Sequence, residues 1–396
     1  HVDALHFLGI AEHQLGRSEV GLALLERAVA LAAPFADLYN NYGNVLRQLG
    51  RLDAAEQAYQ RALELRPEDA NALNNLATIL RERGALEQAA ATFERVLALN
   101  PEHYEAHQNL GHVYSALQRF EEALEQHRRA LLLRPRQGDG YRELGAALCA
   151  LGKVEEACAI YRHWLSVAPD NPAPRHLLAA CTAQDVPQRA SDGYIRESFD
   201  VFASHFDTSL ERLQYRAPSL VAEAVAKRVG AATSLRVLDV GCGTGLCGPK
   251  LRGFASRLIG VDLSEKMLDK ARARGCYDEL QAAELTAYLE GCTEAQELIV
   301  SADTLVYFGA LERVAKAARR ALVPAGHFVF TVERSEEDEA PQGFRIHPHG
   351  RYSHTESYLR EVLSAAGFLP PVIERVTLRM EAGRPVSGAL VTAQAQ

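Results

Sequence analysis

Asp239 closes the short apolar run Val237-Leu238-Asp239-Val240, and Gly241, Cys242, Gly243, Thr244 and Gly245 follow it. An acid beside alternating glycines is a ligand-binding pattern. Missing side chains let backbone amides approach a bound group, and the helix N-terminus beyond adds partial positive charge. A second acid, Asp262, lies in Gly260-Val261-Asp262-Leu263-Ser264. There an acceptor-only carboxylate can take both hydroxyls of a ribose. Leu246 stands where a dinucleotide site needs a further glycine, which argues against NAD. Asp303 and Tyr307 lie in Ser301-Ala302-Asp303-Thr304-Leu305-Val306-Tyr307, and His354 in Gly350-Arg351-Tyr352-Ser353-His354. These three are the candidates for orienting an acceptor or taking its proton, the histidine because its ordinary pKa lies near neutrality. His347 and His349 form a short cluster, but no spaced acid or cysteine completes a metal set. No metal is therefore expected.

A second set of polar residues is periodic. Asn41, Asn75 and Asn109 fall 34 residues apart, and an amide that both donates and accepts can pair with a peptide unit without reading its side chains. On helices about 8 to 10 Å apart, such residues meet an extended chain at about every third position. Asn44, Arg47 and Arg81 extend the same face; the row stops at Phe7 and Glu143. The alternative is that these amides satisfy groups within the array.

The elements that position both sets differ in kind. Small residues recur with the same period at Gly9, Gly43, Ala77, Gly111 and Gly145, and again at Gly21, Ala55, Ala89, Ala123 and Ala157. Gly16, Gly50, Gly84 and Gly152 mark turns between the two series, with Gln118 in the fourth unit, and Leu25, Tyr59, Phe93, His127 and Tyr161 supply a bulky knob. This is a helical hairpin repeated five times; the first unit departs from the pattern at Ala33 and Pro34. After it, apolar runs at 236–240, 257–262, 297–301, 327–332, 372–380 and 387–393 alternate with helical stretches such as 264–274 and 311–321. That pattern is an α/β doubly wound sheet closed by an antiparallel hairpin. Ahead of the first strand, Phe199, Phe202, Phe206 and Leu210 recur at helical spacing.

The repeat spacing resembles a tetratricopeptide array. The run Val-Leu-Asp-Val-Gly-Cys-Gly-Thr-Gly resembles motif one of class I S-adenosylmethionine-dependent methyltransferases, with Asp262, Leu263 and Met267 in the family's second motif. The combination looks like the bacterial predicted methyltransferases that carry such repeats. The resemblance implies that Asp239, Gly241, Cys242, Gly243, Thr244 and Gly245 surround the methionine part of the cofactor. It further implies that Glu284 lies near the adenine amine and that Asp303 borders the transferable methyl; the segment 194–215 either packs into the core or, as in many members of that family, lids the site. The asparagine row resembles the ladder of O-linked N-acetylglucosamine transferases, whose concave face grips polypeptide.

Composition bounds the rest. The 43 Lys and Arg against 51 Asp and Glu give a formal charge of −8, with the deficit shared by both halves, so neither half is built for a phosphate backbone. The seven cysteines without paired spacing, and the lack of an apolar run near membrane-spanning length, point to a reduced, cytoplasmic setting without a membrane. Opening at His1 inside a helical pattern leaves open a removed leader or a trimmed end, and no interface signature fixes an oligomeric state. The expected organisation is an array over 1–170, a capping helix and linker over 171–193, and a catalytic domain over 194–396. The expected function is methylation of a protein or peptide held on the concave face. A small-molecule, natural-product or saccharide acceptor with the array used for assembly is one alternative; a scaffold that senses the cofactor without turnover is the other.

Overall fold

The computed structural model describes residues 1–31, 33, 35–135, 138–203, 206–230, 234–293, 295–381 and 383–396. Pro34 lies outside them. The chain divides into two compact units, His1–Ile160 and Tyr161–Gln396.

The first unit is built of antiparallel helix pairs: Val2–Gln14 with Ser18–Leu31, Ala36–Gln48 with Leu52–Leu65, Ala70–Glu82 with Leu86–Leu99, and Tyr104–Ala116 with Phe120–Leu133. Helix Gly138–Ala150 opens the fifth pair, whose partner Val154–Val167 runs across the division. The period-34 glycines exist for close approach. A Cβ on Gly43 would sit 2.6 Å from the Tyr59 ring, and one on Gly111 2.5 Å from the His127 ring. Knob and gap thus fit only if one partner lacks a side chain. The turn glycines Gly16, Gly50, Gly84 and Gly152 hold φ between 71° and 80°, and Gln118 takes φ 59° in their place. The turn geometry is kept even where the glycine is not, at a cost of about 1–2 kcal/mol.

The second unit is a nine-stranded sheet with helices on both faces. Its strands are β1 (Leu235–Val240), β2 (Ala255–Asp262), β3 (Glu279–Ala282), β4 (Gln296–Ser301), β5 (Leu322–Arg334), β6 (Phe344–Ile346), β7 (Tyr352–His354), β8 (Val372–Glu381) and β9 (Arg384–Gln394). The order is β3-β2-β1-β4-β5-β7-β6, with β9 antiparallel to β5 and β8 antiparallel to β9. Successive residues of the central strands feed opposite cores, as expected for a sheet covered on both faces. Val237 and Leu258 pack with Val221 and Val225 on one side; Leu238, Phe328 and Phe330 pack with Leu359 and Val362 on the other.

Helix Pro172–Thr182, expected to cap the array, packs within the second unit. His176 Nε2 bonds the Gly350 carbonyl at 2.7 Å, its ring lies 4.2 Å from that of Tyr194, and Ala180 is buried with Ile346 and Tyr352. These contacts supply the apolar partners that a solvent-facing cap lacks.

Candidate active site

The carboxyl ends of β1 and β2 deliver the two acids beside the point where strand order reverses, between β1 and β4, the usual ligand position in such sheets. Gly241, Gly243 and Gly245 have φ of 74°, 54° and 82°. A Cβ on Gly241 would lie 2.2 Å from the Thr304 side chain, whose hydroxyl donates to the Gly241 carbonyl at 3.0 Å. Here the glycine is needed for fit as well as for φ. Asp262 fixes the loop by accepting from the Gly243 amide and the Ser264 amide, both at 2.9 Å.

Asp239 is 1% exposed. Tyr277 donates its hydroxyl to Oδ2 at 2.7 Å, while Oδ1 is buried and has no partner. Burial, helped by the charge of Asp262 and opposed by the tyrosine, pushes this carboxyl up to about 7. Cys242 and Thr244 are buried in the loop, Leu263 is half-buried, and Met267 lies fully inside as part of the floor. Glu284 caps helix Leu285–Glu290, accepting from the Thr286 and Ala287 amides at 3.1 and 2.9 Å.

Two short helices, Asp192–Phe202 and Phe206–Arg212, are fastened to this loop. Ser264 donates to Asp200, Thr244 donates to Asp207, and Arg274 pairs with Asp207 while donating to the Thr244 carbonyl at 2.6 Å. Phe199 meets Phe206 and Tyr307 edge-on, with ring centroids 5.9 and 5.5 Å away. A Cβ on Gly243 would find Phe206 at 3.9 Å. Phe206 of the aromatic stripe therefore borders the glycine loop, whereas Phe202 is exposed.

The three acceptor-side candidates separate. Tyr307 ends a 3-10 turn and is half-buried, and burial raises its hydroxyl well above the ordinary value, so it is a neutral donor. Asp303 has φ 57°; its Oδ2 takes the Arg379 guanidinium at 2.6 Å, and its Oδ1 is buried without a partner. His354 needs correction as a base. It is 0% exposed on β7, its Nε2 bonds the Gly309 carbonyl at 3.0 Å, and burial holds it at about 4. An imidazole so enclosed is a strut. Thr355 is the residue that caps the next helix.

Sequence reasoning missed the ion network around Asp303. Arg379 binds Asp303, Glu333 and Glu381, and Arg351 binds Glu333 and Glu381 at 2.7 Å each. Burial pushes Glu333 up, but Arg351, His349 and Arg379 outweigh it and hold the carboxyl at about 2. The register shift between Thr377 and Arg379 explains how consecutive Leu378 and Arg379 are both buried. A bulge turns the guanidinium inward.

In the first unit the asparagine row is engaged internally. Asn41 Nδ2 lies 3.0 Å from His6 Nε2; Asn75 Nδ2 donates to Asn40 and Asn44 at 2.9 and 3.0 Å; Asn109 Oδ1 accepts from Arg81 at 2.8 Å. Arg47 reaches Glu82 at 3.4 Å. All three row residues are half-buried. The repeat itself brings each amide beside the polar residues of the preceding hairpin.

The chain matches the family description "Tetratricopeptide repeat" over residues 2–68, 34–102, 80–136 and 109–172, and "Methyltransferase domain" over 237–326. It is 37% identical over 120 residues to human methyltransferase-like protein 27, covering 28% of this chain and 45% of that protein. It is 34% identical over 119 residues to the malonyl-[acyl-carrier protein] O-methyltransferase of Erwinia pyrifoliae, covering 30% and 40%. The chain thus spans less than half the length of these curated relatives. Among solved structures it is similar to the tetratricopeptide protein TTC0263 of Thermus thermophilus (22% identity, TM-score 0.37, 46% of this chain and 100% of that one). It is also similar to YrrB, described as having an unusual peptide-binding site (21%, TM-score 0.38, 43% and 89%). By these matches the chain carries tetratricopeptide repeats ahead of a methyltransferase domain.

Proposed function

We propose that the second unit moves a methyl group from S-adenosylmethionine and that the repeat array presents a protein or peptide acceptor. The observation that supports the cofactor is the buried, unpartnered Oδ1 of Asp239 behind the glycine loop. A ligand ammonium supplies the partner that a buried acceptor otherwise lacks. The cofactor, when bound, would supply a methyl on a positively charged sulfur, for an acceptor lone pair to attack in line while the carbon–sulfur bond breaks and the neutral thioether leaves. Asp262 keeps lone pairs for ribose hydroxyls while its amide bonds hold the loop. Phe199, Phe206 and Tyr307 exclude water, and the Tyr307 hydroxyl and the Asp303–Arg379 pair orient the acceptor.

Calorimetric titration with S-adenosylmethionine tests the cofactor. Asp262→Ala should weaken binding about 10-fold or more, the usual effect of losing a charged hydrogen-bond partner. No binding by the native chain, or equal binding by the variant, contradicts the proposal. Support for a protein acceptor is the polar face of Asn41, Asn44, Arg47, Asn75, Arg81 and Asn109. Their internal hydrogen bonds favour the second reading, in which the acceptor is a small molecule and the array serves assembly. Simultaneous alanine substitution of Asn41, Asn75 and Asn109 separates the two.

A further inference from the structure

The fourth junction of the array differs from the earlier ones in its chemistry. Three positions recur where one hairpin meets the next helix: Ile10, Leu25 and Asn41; Asn44, Tyr59 and Asn75; Thr78, Phe93 and Asn109; and His112, His127 and Glu143. At the second of these, the residues close on one another, with Asn44 Oδ1 accepting from Tyr59 at 2.9 Å and from Asn75 at 3.0 Å. At the fourth, an aromatic knob and an amide have become a histidine and an acid, and the set does not close. His127 is 1% exposed and its Nε2 is buried without a partner. Its ring lies edge-on to His112 with centroids 5.4 Å apart, and His112 Nδ1 is 3.6 Å from Glu143 Oε2.

We propose that His112, His127 and Glu143 bind a divalent transition metal ion of the zinc type, with a water in the fourth position. One donor atom from each residue lies within 4.8 Å of the other two. A tetrahedral ion with bonds of about 2.0–2.2 Å needs donors about 3.3 Å apart. The His112–Glu143 distance of 3.6 Å is already close to that value. Two imidazoles and one carboxylate are the donor set of open zinc sites, which keep one position for water. Solvent reaches the cluster, since the side chains of His112 and Glu143 remain 38% and 29% exposed while His127 is buried.

Arg81 and Arg142 lie near the cluster and work against a cation, and the three donors have to outweigh them. The site links helices Tyr104–Ala116, Phe120–Leu133 and Gly138–Ala150. Local spacing could not reveal it, because each helix contributes one ligand.

The test uses the full chain, stripped with a chelator and titrated with Zn2+ by calorimetry, with Co2+ as the spectroscopic probe. His127→Phe restores the residue type of Phe93, and Glu143→Asn that of Asn109, so both variants keep the architecture of neighbouring repeats. The expected result is uptake of a single Zn2+, a visible Co2+ spectrum of low coordination, and a raised melting temperature. Each variant should bind at least about 100-fold more weakly, at the upper end of what even an outer-shell change costs. Absence of stoichiometric uptake overturns the proposal. So does uptake that persists in both variants, the result expected if the seven free cysteines were the ligands.

Discussion

In the proposed site one buried carboxylate, Asp239, would couple cofactor binding to pH. Folding holds it at about 7, so the folded chain binds this proton more tightly than the unfolded chain. Its contribution to stability is therefore present at low pH and declines as pH rises from the ordinary carboxylate range towards about 7. A ligand ammonium favours the ionised form. Affinity for S-adenosylmethionine should thus rise through about pH 7 in calorimetric titrations, and Asp239→Asn should flatten that rise. Arg379 poses the opposite test, being the shared cation of Asp303, Glu333 and Glu381. Arg379→Met leaves buried acids uncompensated and should cost about 3–5 kcal/mol in urea unfolding. The places of Asp239, the glycines and Asp262 at the ends of β1 and β2 were legible because motif and strand end coincide. Tyr277 and Arg379 were not, since neither lies in a motif and each reaches its acid across the fold. His354 was misread because a polar flanking sequence hid its burial.

Among elements, periodicity predicted the long ones. The five hairpins and the six long strands stand where the alternation placed them, while the short β3, β6 and β7 were missed. Strands of three or four residues carry too few side chains for a period to register. The helices Asp192–Phe202 and Phe206–Arg212 were legible as an amphipathic stripe, but their attachment through Asp200 and Asp207 was not. That attachment gives a prediction. Asp207→Ala removes the partner of Thr244 and Arg274 at a partly exposed site. It should speed cofactor dissociation several-fold in stopped-flow measurements while moving the melting temperature by only a few degrees. An unchanged dissociation rate would show that the helices do not gate the loop.

For the whole molecule, the sequence and the structure agree on two bodies, an all-α repeat array and an α/β domain, and differ on where the second begins. The expected linker and capping helix belong with the second unit through His176, Ala180 and Tyr194. No helix among the described residues is long and apolar enough to cross a membrane. The proposed acceptor-presenting role of the array is the property least legible in the sequence, because its polar row is satisfied internally. A lysate from a strain lacking this protein, exposed to the purified enzyme and radiolabelled S-adenosylmethionine and then separated by size, addresses it directly. The expected result is a discrete labelled polypeptide, absent with Asp262→Ala and strongly reduced when Asn41, Asn75 and Asn109 are replaced together by alanine. Label confined to small molecules, or polypeptide labelling unchanged by the triple replacement, would contradict it.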